Sequence, residues 1–271
     1  MSRHNNSRPG RALFRLEAQV SSRVFLGLAI ASFVILALAW TVVTTTGLVN
    51  PLFLPSPGKV LSRLADLWSA GNLQRDLAVS LYRISLAFLI STALALPIGV
   101  IMGSYRGWEA IIEPVVDFIR YMPVVAFVPL TILWTGTGDL QKFLIIIIGT
   151  FFQQVLMIMD NVKTVPRDFI RLGRTLQLRE AQILLRIVLP SAMPAIWDTI
   201  RITLGWAWTW LVLAELVAAS SGLGYRITTA QRFFQTDLIF GYLLILGLLG
   251  LATDQVMKFS GRRMFRYLRV R

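Results

Sequence analysis

A chain of 271 residues with 55% hydrophobic residues and a mean hydropathy of +0.65 is too apolar to present a water-facing surface all round, and reads as a membrane protein. Its formal charge of +13 would suggest nucleic acid in a soluble chain; in a polytopic one it asks which side of the bilayer holds the basic residues, and no nucleic-acid partner is expected. Cysteine is absent and the one histidine is His4, which argues against thiolate nucleophiles, disulfides, Cys/His metal centres and imidazole dyads, so no catalytic or metal residue is assigned.

A phosphate-binding G-x-x-x-x-G-K-[ST] loop is missing as well: Gly58-Lys59 is followed by Val60 and lacks the upstream glycine. The chain is expected to hold no cofactor, with any ATP and Mg²⁺ bound by another chain.

A hydrocarbon core of ~30 Å takes roughly 20 apolar residues of helix. Six runs fit, at about 24–46, 78–103, 110–135, 140–160, 194–219 and 238–257. A basic tail, 1–23, precedes them and another, 258–271, follows, so 24–257 is expected to form one transmembrane domain. The first run is read as a retained anchor, because it is too long for a signal peptide and shows no small-x-small cleavage site before Thr44-Thr45-Thr46. Between the first two, "LFLPSPGKVLSRLADLW" predicts an extended strip and a short amphipathic helix on the outer interface, with Val60, Leu61, Leu64 and Leu67 on one face.

With the N-terminus inside, the inner set is Arg3, Arg8, Arg11, Arg15, Arg23, Arg106, Lys163, Arg167, Arg171, Arg174, Arg179, Arg186, Lys258, Arg262, Arg263, Arg266, Arg269 and Arg271. The outer set is only Lys59, Arg63, Arg75, Lys142, Arg226 and Arg232. The asymmetry fits the positive-inside rule, with both termini cytoplasmic.

The third run contains "YMPVVAFVP", where Pro123 and Pro129 interrupt the helix and free carbonyls that must face protein or water. A charge at mid-membrane costs ~2.5–3.5 kcal/mol on insertion scales, so each asks for a partner or a pathway. The candidates are Arg83, Asp117, Arg120, Asp198, Arg201, Glu215 and Asp254; those near span ends can snorkel. Arg120 is assigned to an anion pathway. Glu215, in "LVLAELVAA", would repel an anion and is assigned a structural ion pair or hydrogen bond. Trp206 and Trp210, four apart and on one face, either pack against neighbours and lipid or form part of a gate with Met122 and Phe127 in the pathway reading, which also assigns Pro123 to the pathway. Gly99 and Gly103 have the spacing of a close helix contact, and "SGLGYR", 221–226, reads as a turn.

The polar segment 161–193 separates the fourth and fifth runs. In "TVPRDFIRLGRTLQLREAQILLRIVLPSAMP", Pro166 suits a first helical turn and Phe169, Leu172 and Leu176 recur at helical spacing opposite arginines. A second run carries Leu184, Ile187 and Val188 and ends at Pro190, with the turn between them near Gln177 to Arg179. Such a helix-turn-helix serves either to rest on anionic lipid headgroups or to dock a cytosolic partner.

The loop resembles the EAA motif of ABC-importer permeases, E-A-A-x(3)-G-x(9)-I-x-L-P. Ile187, Leu189 and Pro190 fall at I-x-L-P; Arg171, Leu172 and Gly173 stand at E-A-A, and Gln177 at the glycine. The blocks "LFLPSPGKVL", "LAVSLYRISLAFLISTALALPIGVIMG", "IRYMPVVAFVPLTILWTGTGD", "IVLPSAMPAIWDTIRITLGWAW" and "LVLAELVAASSGLGY" resemble, in the same order, permeases of the nitrate, sulfonate, taurine and bicarbonate importers, from about residue 50 to 257.

The resemblance implies an all-α polytopic protein of about six transmembrane helices with the type I ABC importer permease fold, in the cell inner membrane, and not an enzyme. It implies a second permease copy as a homodimer, two ABC ATPase subunits that bind the ATP and Mg²⁺, and an external solute-binding protein delivering a small anion or zwitterion. In that family the loop is a coupling helix seated in the ATPase, a role carried here by Phe169, Arg171, Leu172, Gly173, Arg174, Thr175, Leu176, Gln177 and Leu178. The alternatives are an intramembrane enzyme using Asp117, Asp198 and Asp254, or an ion-coupled carrier working without an ATPase. No paired-carboxylate or Ser/Lys signature favours the first, and no internal inverted repeat the second.

Overall fold

The computed structural model describes residues 21–266, all of whose regular structure is helical; the tail residues 1–20 and 267–271 named above lie outside the described residues. The chain divides into two units, Met1–Leu61 and Ser62–Arg271.

In the first unit, helix α1 (Ser22–Thr45) starts where the Ser21 side chain accepts from Val24 N. It is apolar on every side, and Phe25, Leu28, Phe33 and Leu36 are all exposed. A helix with no polar face has no water-facing orientation, so lipid is its natural solvent. Trp40 Nε1 donates to Pro55 O at 3.0 Å, tying the helix end to the strip that follows. Helix α2 (Pro57–Ser69) begins in this unit and ends in the next.

The second unit is built on α3 (Asn72–Ser104), α6 (Asp139–Lys163) and α9 (Leu189–Ala218), with α3 packed along α6 and α6 along α9. Gly99 and Gly103 explain how closely α3 and α6 approach. A Cβ at Gly99 would lie 2.7 Å from Val155 O, and one at Gly103 would lie 2.6 Å from Val162 Cβ. Hydroxyls and amides knit the same helices: Ser91 Oγ lies 2.8 Å from Thr150 Oγ1, and Gln154 Nε2 donates to Thr92 Oγ1 and Thr203 Oγ1, each at 3.0 Å. One apolar cluster joins Met102, Val155, Ile158, Met159 and Ile196; a second joins Ile84, Phe88, Ile146, Leu211 and Tyr242. Leu64 and Leu67 of α2 pack on the second, whereas Leu61 is exposed rather than on their face.

Among the described residues, five helices are long and apolar enough to cross a membrane, or six if one bent pair counts as a single span. That pair is the third predicted run, and it is not one straight helix. Helix α4 (Arg106–Arg120) ends at Tyr121; a 3₁₀ turn (Val124–Phe127) follows, then α5 (Val128–Thr135), and the two halves meet at 86°. Pro123 supplies no N–H and holds an extended ψ of 120°, so helical geometry cannot run through it.

The fifth run is longer than expected. After α7 (Arg167–Thr175), helix α8 (Glu180–Ile183) passes through a π-helical turn (Leu184–Val188) straight into α9. Pro190 therefore does not end a separate second helix, because the wide turn upstream relieves the clash its ring would make with the carbonyl four residues back. The half of the polar segment that follows the turn is the foot of a membrane span. Helices α10 (Leu223–Arg232) and α11 (Thr236–Met264) complete the unit.

Candidate functional site

Three features bring together chemistry-bearing side chains: the break in the third span, a charge cluster at the other end of α6 from the polar segment, and the polar segment itself.

At the break, Ile119 to Val124 turn beside the start of α5 and border a cavity of about 350 Å³, closed by Ile148, Gly149, Phe152 and Gln153 of α6 and Trp206 and Trp210 of α9. Five of the six residues assigned to the pathway meet here: Arg120, Met122, Pro123, Trp206 and Trp210. Phe127 does not join them, because the 3₁₀ turn carries it away to pack on Val128, Ile145 and Ala214. Trp210 lies flat against Gly149, where a Cβ would come within 2.5 Å of the ring, and its Nε1 is buried with no partner. Arg120 pairs with Asp117 at 2.8 Å and its guanidinium sits 4.7 Å over the Tyr121 ring. It keeps 29% of its side chain accessible. The cavity thus offers the Arg120 cation and the Gln153 amide against an apolar wall, a set suited to an anion's oxygens.

Glu215 is fully buried and accepts from Ser80 Oγ at 2.8 Å, Arg83 Nη1 at 2.9 Å and Gly224 N at 2.9 Å. Arg83 also donates through Nε to Asp139 Oδ1 at 2.8 Å and through Nη1 to Ser221 O at 2.6 Å. It does not snorkel; partners on three other segments hold it in the protein. Nearby, Asp76 accepts from Arg226 Nε at 2.7 Å and from Tyr242 OH at 3.1 Å.

Lys142 was expected in an outer loop and is instead 1% exposed within α6, its Nζ donating to the carbonyls of Thr137, Gly138 and Ala218. Arg226, also expected in an outer loop, lies in α10 and reaches into the cluster. "SGLGYR" is a turn only as far as Gly222, whose φ of 111° favours glycine; Leu223 then starts α10. The free amides at that start are met by other helices: Gly222 N by Asp76, Leu223 N by Ser80 Oγ and Gly224 N by Glu215. The cluster carries Arg83, Lys142 and Arg226 against Asp76, Asp139 and Glu215, so its formal charges cancel. Arg83, Lys142 and Glu215, charges inside apolar runs, were the available signal for it; Asp76, Asp139 and Arg226 lie outside those runs.

In the polar segment, Pro166 stands at the N-cap, one residue before the helix it was expected to enter. Helix α7 and its C-cap expose Phe169, Leu172 and Leu176 by 48%, 57% and 63% of their surfaces, an apolar stripe uncovered among the described residues. Arg171 pairs with Asp168 at 3.3 Å and Arg174 with Glu180 at 3.2 Å, both in water-accessible positions, while Thr175 Oγ1 turns back onto Arg171 O. Gly173 and Leu178 do not belong with the exposed set. A Cβ at Gly173 would stand 2.8 Å from Ile187 Cδ1, and Leu178 packs into the first apolar cluster. These two fix α7 to the foot of the fifth span.

The turn is a Schellman cap: Leu178 N donates to Gly173 O at 3.1 Å and Gln177 N to Arg174 O at 2.9 Å, with Gln177 left-handed at φ 56°. The residue standing at the motif's glycine thus has the backbone that glycine accepts best. Among the described residues no group of three or more His, Asp and Glu side chains could hold a metal ion.

Residues 95–266 match the family of binding-protein-dependent transport system inner membrane components. The chain is 38% identical to a probable ABC transporter permease protein of Brucella melitensis, covering 88% of this chain and 96% of the relative. It is 33% identical to a putative aliphatic sulfonates transport permease protein of Bacillus subtilis (84% and 83% covered) and 32% identical to the taurine transport system permease protein of Escherichia coli (88% and 88% covered). Its fold is similar to that of a chain in the inward-facing MetNI methionine ABC transporter, with a TM-score of 0.63 at 20% identity over 72% of this chain and 95% of that one.

Proposed function

The chain belongs to the binding-protein-dependent transport system inner membrane component family, as an ABC importer permease and not an enzyme, and on that premise we propose that it forms half of a translocation pathway for a small anionic or zwitterionic solute. Residues 24–257 act as its transmembrane part, with both termini cytoplasmic. Two copies face each other across the broken third span, so that the recess of Arg120, Met122, Pro123, Trp206 and Trp210 borders the path. An external solute-binding protein delivers the solute. The names of two relatives, for aliphatic sulfonates and taurine, support an oxyanion-bearing solute.

The observation that carries the coupling half of the proposal is the stripe of Phe169, Leu172 and Leu176. It is apolar, lies outside any span, and sits on a helix locked through Gly173 to the fifth span. Two ABC ATPase subunits, which bind the ATP and Mg²⁺, seat this helix in a surface groove. When they close, α7 moves, and the rigid foot Glu180–Val188 passes that motion to α9 and to Trp206 and Trp210 on it. Arg171 and Arg174, accessible at the rim, meet acidic residues of the partner and set orientation more than affinity.

The test is co-purification of the chain with an ATP-hydrolysing subunit, followed by reconstitution with the binding protein and measurement of solute uptake. Uptake that requires ATP supports the proposal. Uptake by the chain alone, driven by an ion gradient, would replace it with the carrier reading.

A further inference from the structure

Helix α11 has 29 residues, about 43 Å at the rise of an α-helix, which outlasts a ~30 Å hydrocarbon core. Its last turns carry Phe259, Arg262 and Arg263, three and four apart and so gathered on one side, and Arg266 follows two residues past the helix end. They border a recess of about 230 Å³. Sharing Arg262 with it, a second recess of about 350 Å³ lies between α9 and α11, bordered by Trp197, Arg201 and Lys258.

The acids nearby are already engaged. Asp254 lies 2.8 Å from Lys258 and 3.5 Å from Arg201, and Asp198 lies 3.4 Å from Arg201. Those last two distances are long for charge-assisted hydrogen bonds, and Arg201 Nε is buried without a partner. Among the described residues, Arg262, Arg263 and Arg266 have no ion-pair partner. Two acids therefore offset two of the five cations, and three arginines are left for an external anion.

The same side of α11 continues away from the arginines as an apolar track. Leu244, Leu248, Leu251 and Phe259 are exposed and fall on the face of Arg262. A water-soluble phosphate has a use for only the charged half of this surface. A phospholipid uses both halves, with its phosphate among the arginines, its acyl chains along the leucines, and the Trp197 indole at the boundary between them.

We propose that the charged end of α11, with Trp197 and Arg201 of α9, is a binding site for the phosphodiester headgroup of an anionic glycerophospholipid whose acyl chains lie along Leu244, Leu248 and Leu251. The site is separate from the broken-span recess and from the exposed stripe of α7, and it does not depend on the solute carried. Because Arg262 and Arg263 lie on α11 and Trp197 and Arg201 on α9, one bound lipid bridges the two helices.

The full chain in nanodiscs of phosphatidylcholine with a minority of phosphatidylglycerol provides the test, with retained lipid measured by mass spectrometry after mild extraction. Phosphatidylglycerol is expected to be enriched over its bulk share. Each arginine removed in an Arg262→Gln, Arg266→Gln double variant is expected to lower that enrichment roughly fivefold, while Arg106→Gln leaves it unchanged. In the unaltered chain, brominated phosphatidylglycerol is expected to quench a fluorescence component that is missing from a Trp197→Phe variant, a readout that does not depend on the arginine variants folding. No enrichment, an equal loss with Arg106→Gln, displacement by inorganic phosphate at constant ionic strength, or no quenching of the Trp197 component would each overturn the site.

Discussion

Arg83 Nη1 lies 2.9 Å from Glu215 Oε1, across 132 residues of sequence and inside a membrane-embedded bundle. Neither residue has water to fall back on. Glu215 is fully buried, and Arg83 divides its donors among Glu215, Asp139 and the Ser221 carbonyl. The pair joins α3 to α9 and, through Gly224 N, to the first turn of α10.

Removing one partner strands the other in low dielectric, so Glu215→Ala and Arg83→Ala are each expected to destabilise by about 3–5 kcal/mol. Glu215→Gln is expected to cost less, since its amide oxygen still accepts from Gly224 N. Thermal unfolding in detergent checks the order. An alanine at Glu215 as stable as the parent would refute a structural role for the pair.

Gln177 occupies a left-handed backbone, φ 56°, at the cap of α7. That conformation costs a side chain with a Cβ roughly 1–2 kcal/mol. Gln177→Gly is therefore expected to protect the α7 amides further from hydrogen exchange, and Gln177→Val to expose them. Both variants should insert normally. An opposite ordering of the two would show that the cap does not limit the stability of the loop.

Leu176 is the most exposed member of the α7 stripe. Leu176→Asp is expected to weaken ATPase association by at least tenfold, as for a buried interface anchor of ~1.4–2 kcal/mol or more, with membrane insertion unchanged. Gly173→Asp should fail differently, because its side chain would strike Ile187 and loosen α7 before any partner arrives. Full ATPase recovery with the Leu176 variant would remove the stripe from the docking surface.

Arg120→Ala is expected to lower uptake per assembled complex about tenfold, the effect of losing one charge-assisted contact of ~1.5 kcal/mol, while assembly stays near normal. Arg120→Lys should recover part of it. Equal uptake per complex for Arg120→Ala and the parent would place the pathway elsewhere.

Gly103 faces Val162 with no room for a Cβ. Gly103→Val is expected to push α3 from α6 and cost ~1–3 kcal/mol, as overpacking does, whereas Gly107→Val, where nothing lies within 4 Å of the added Cβ, should not. Melting midpoints of the two variants decide this.

Several of these relationships were open to a reader of the chain alone. Glu215 stood out because a carboxylate in "LVLAELVAA" has no solvent to face, and it proves to be held by Arg83, Ser80 and Gly224. Trp206 and Trp210 shared a helical face by spacing and share one cavity. Lys142 was misplaced because a lysine near the start of an apolar run looks like a loop residue, and only α9, arriving with its Ala218 carbonyl, makes burial affordable. Gly173 looked like part of the docking surface because its neighbours are exposed; its own side faces Ile183 and Ile187.

The amino-acid sequence by itself determined the membrane environment, the places of the long apolar helices, the break at Pro123 and the apolar stripe on α7. Hydrophobic length, helical period and the missing proline N–H are local properties, legible without knowing what lies alongside. Which charges neutralise which, where the bent span leaves a cavity, and which side of α7 is held and which is free were decided only by the tertiary structure. Those outcomes depend on the meeting of side chains far apart in the chain, and in a low-dielectric interior a charge is tolerable or ruinous according to its neighbour.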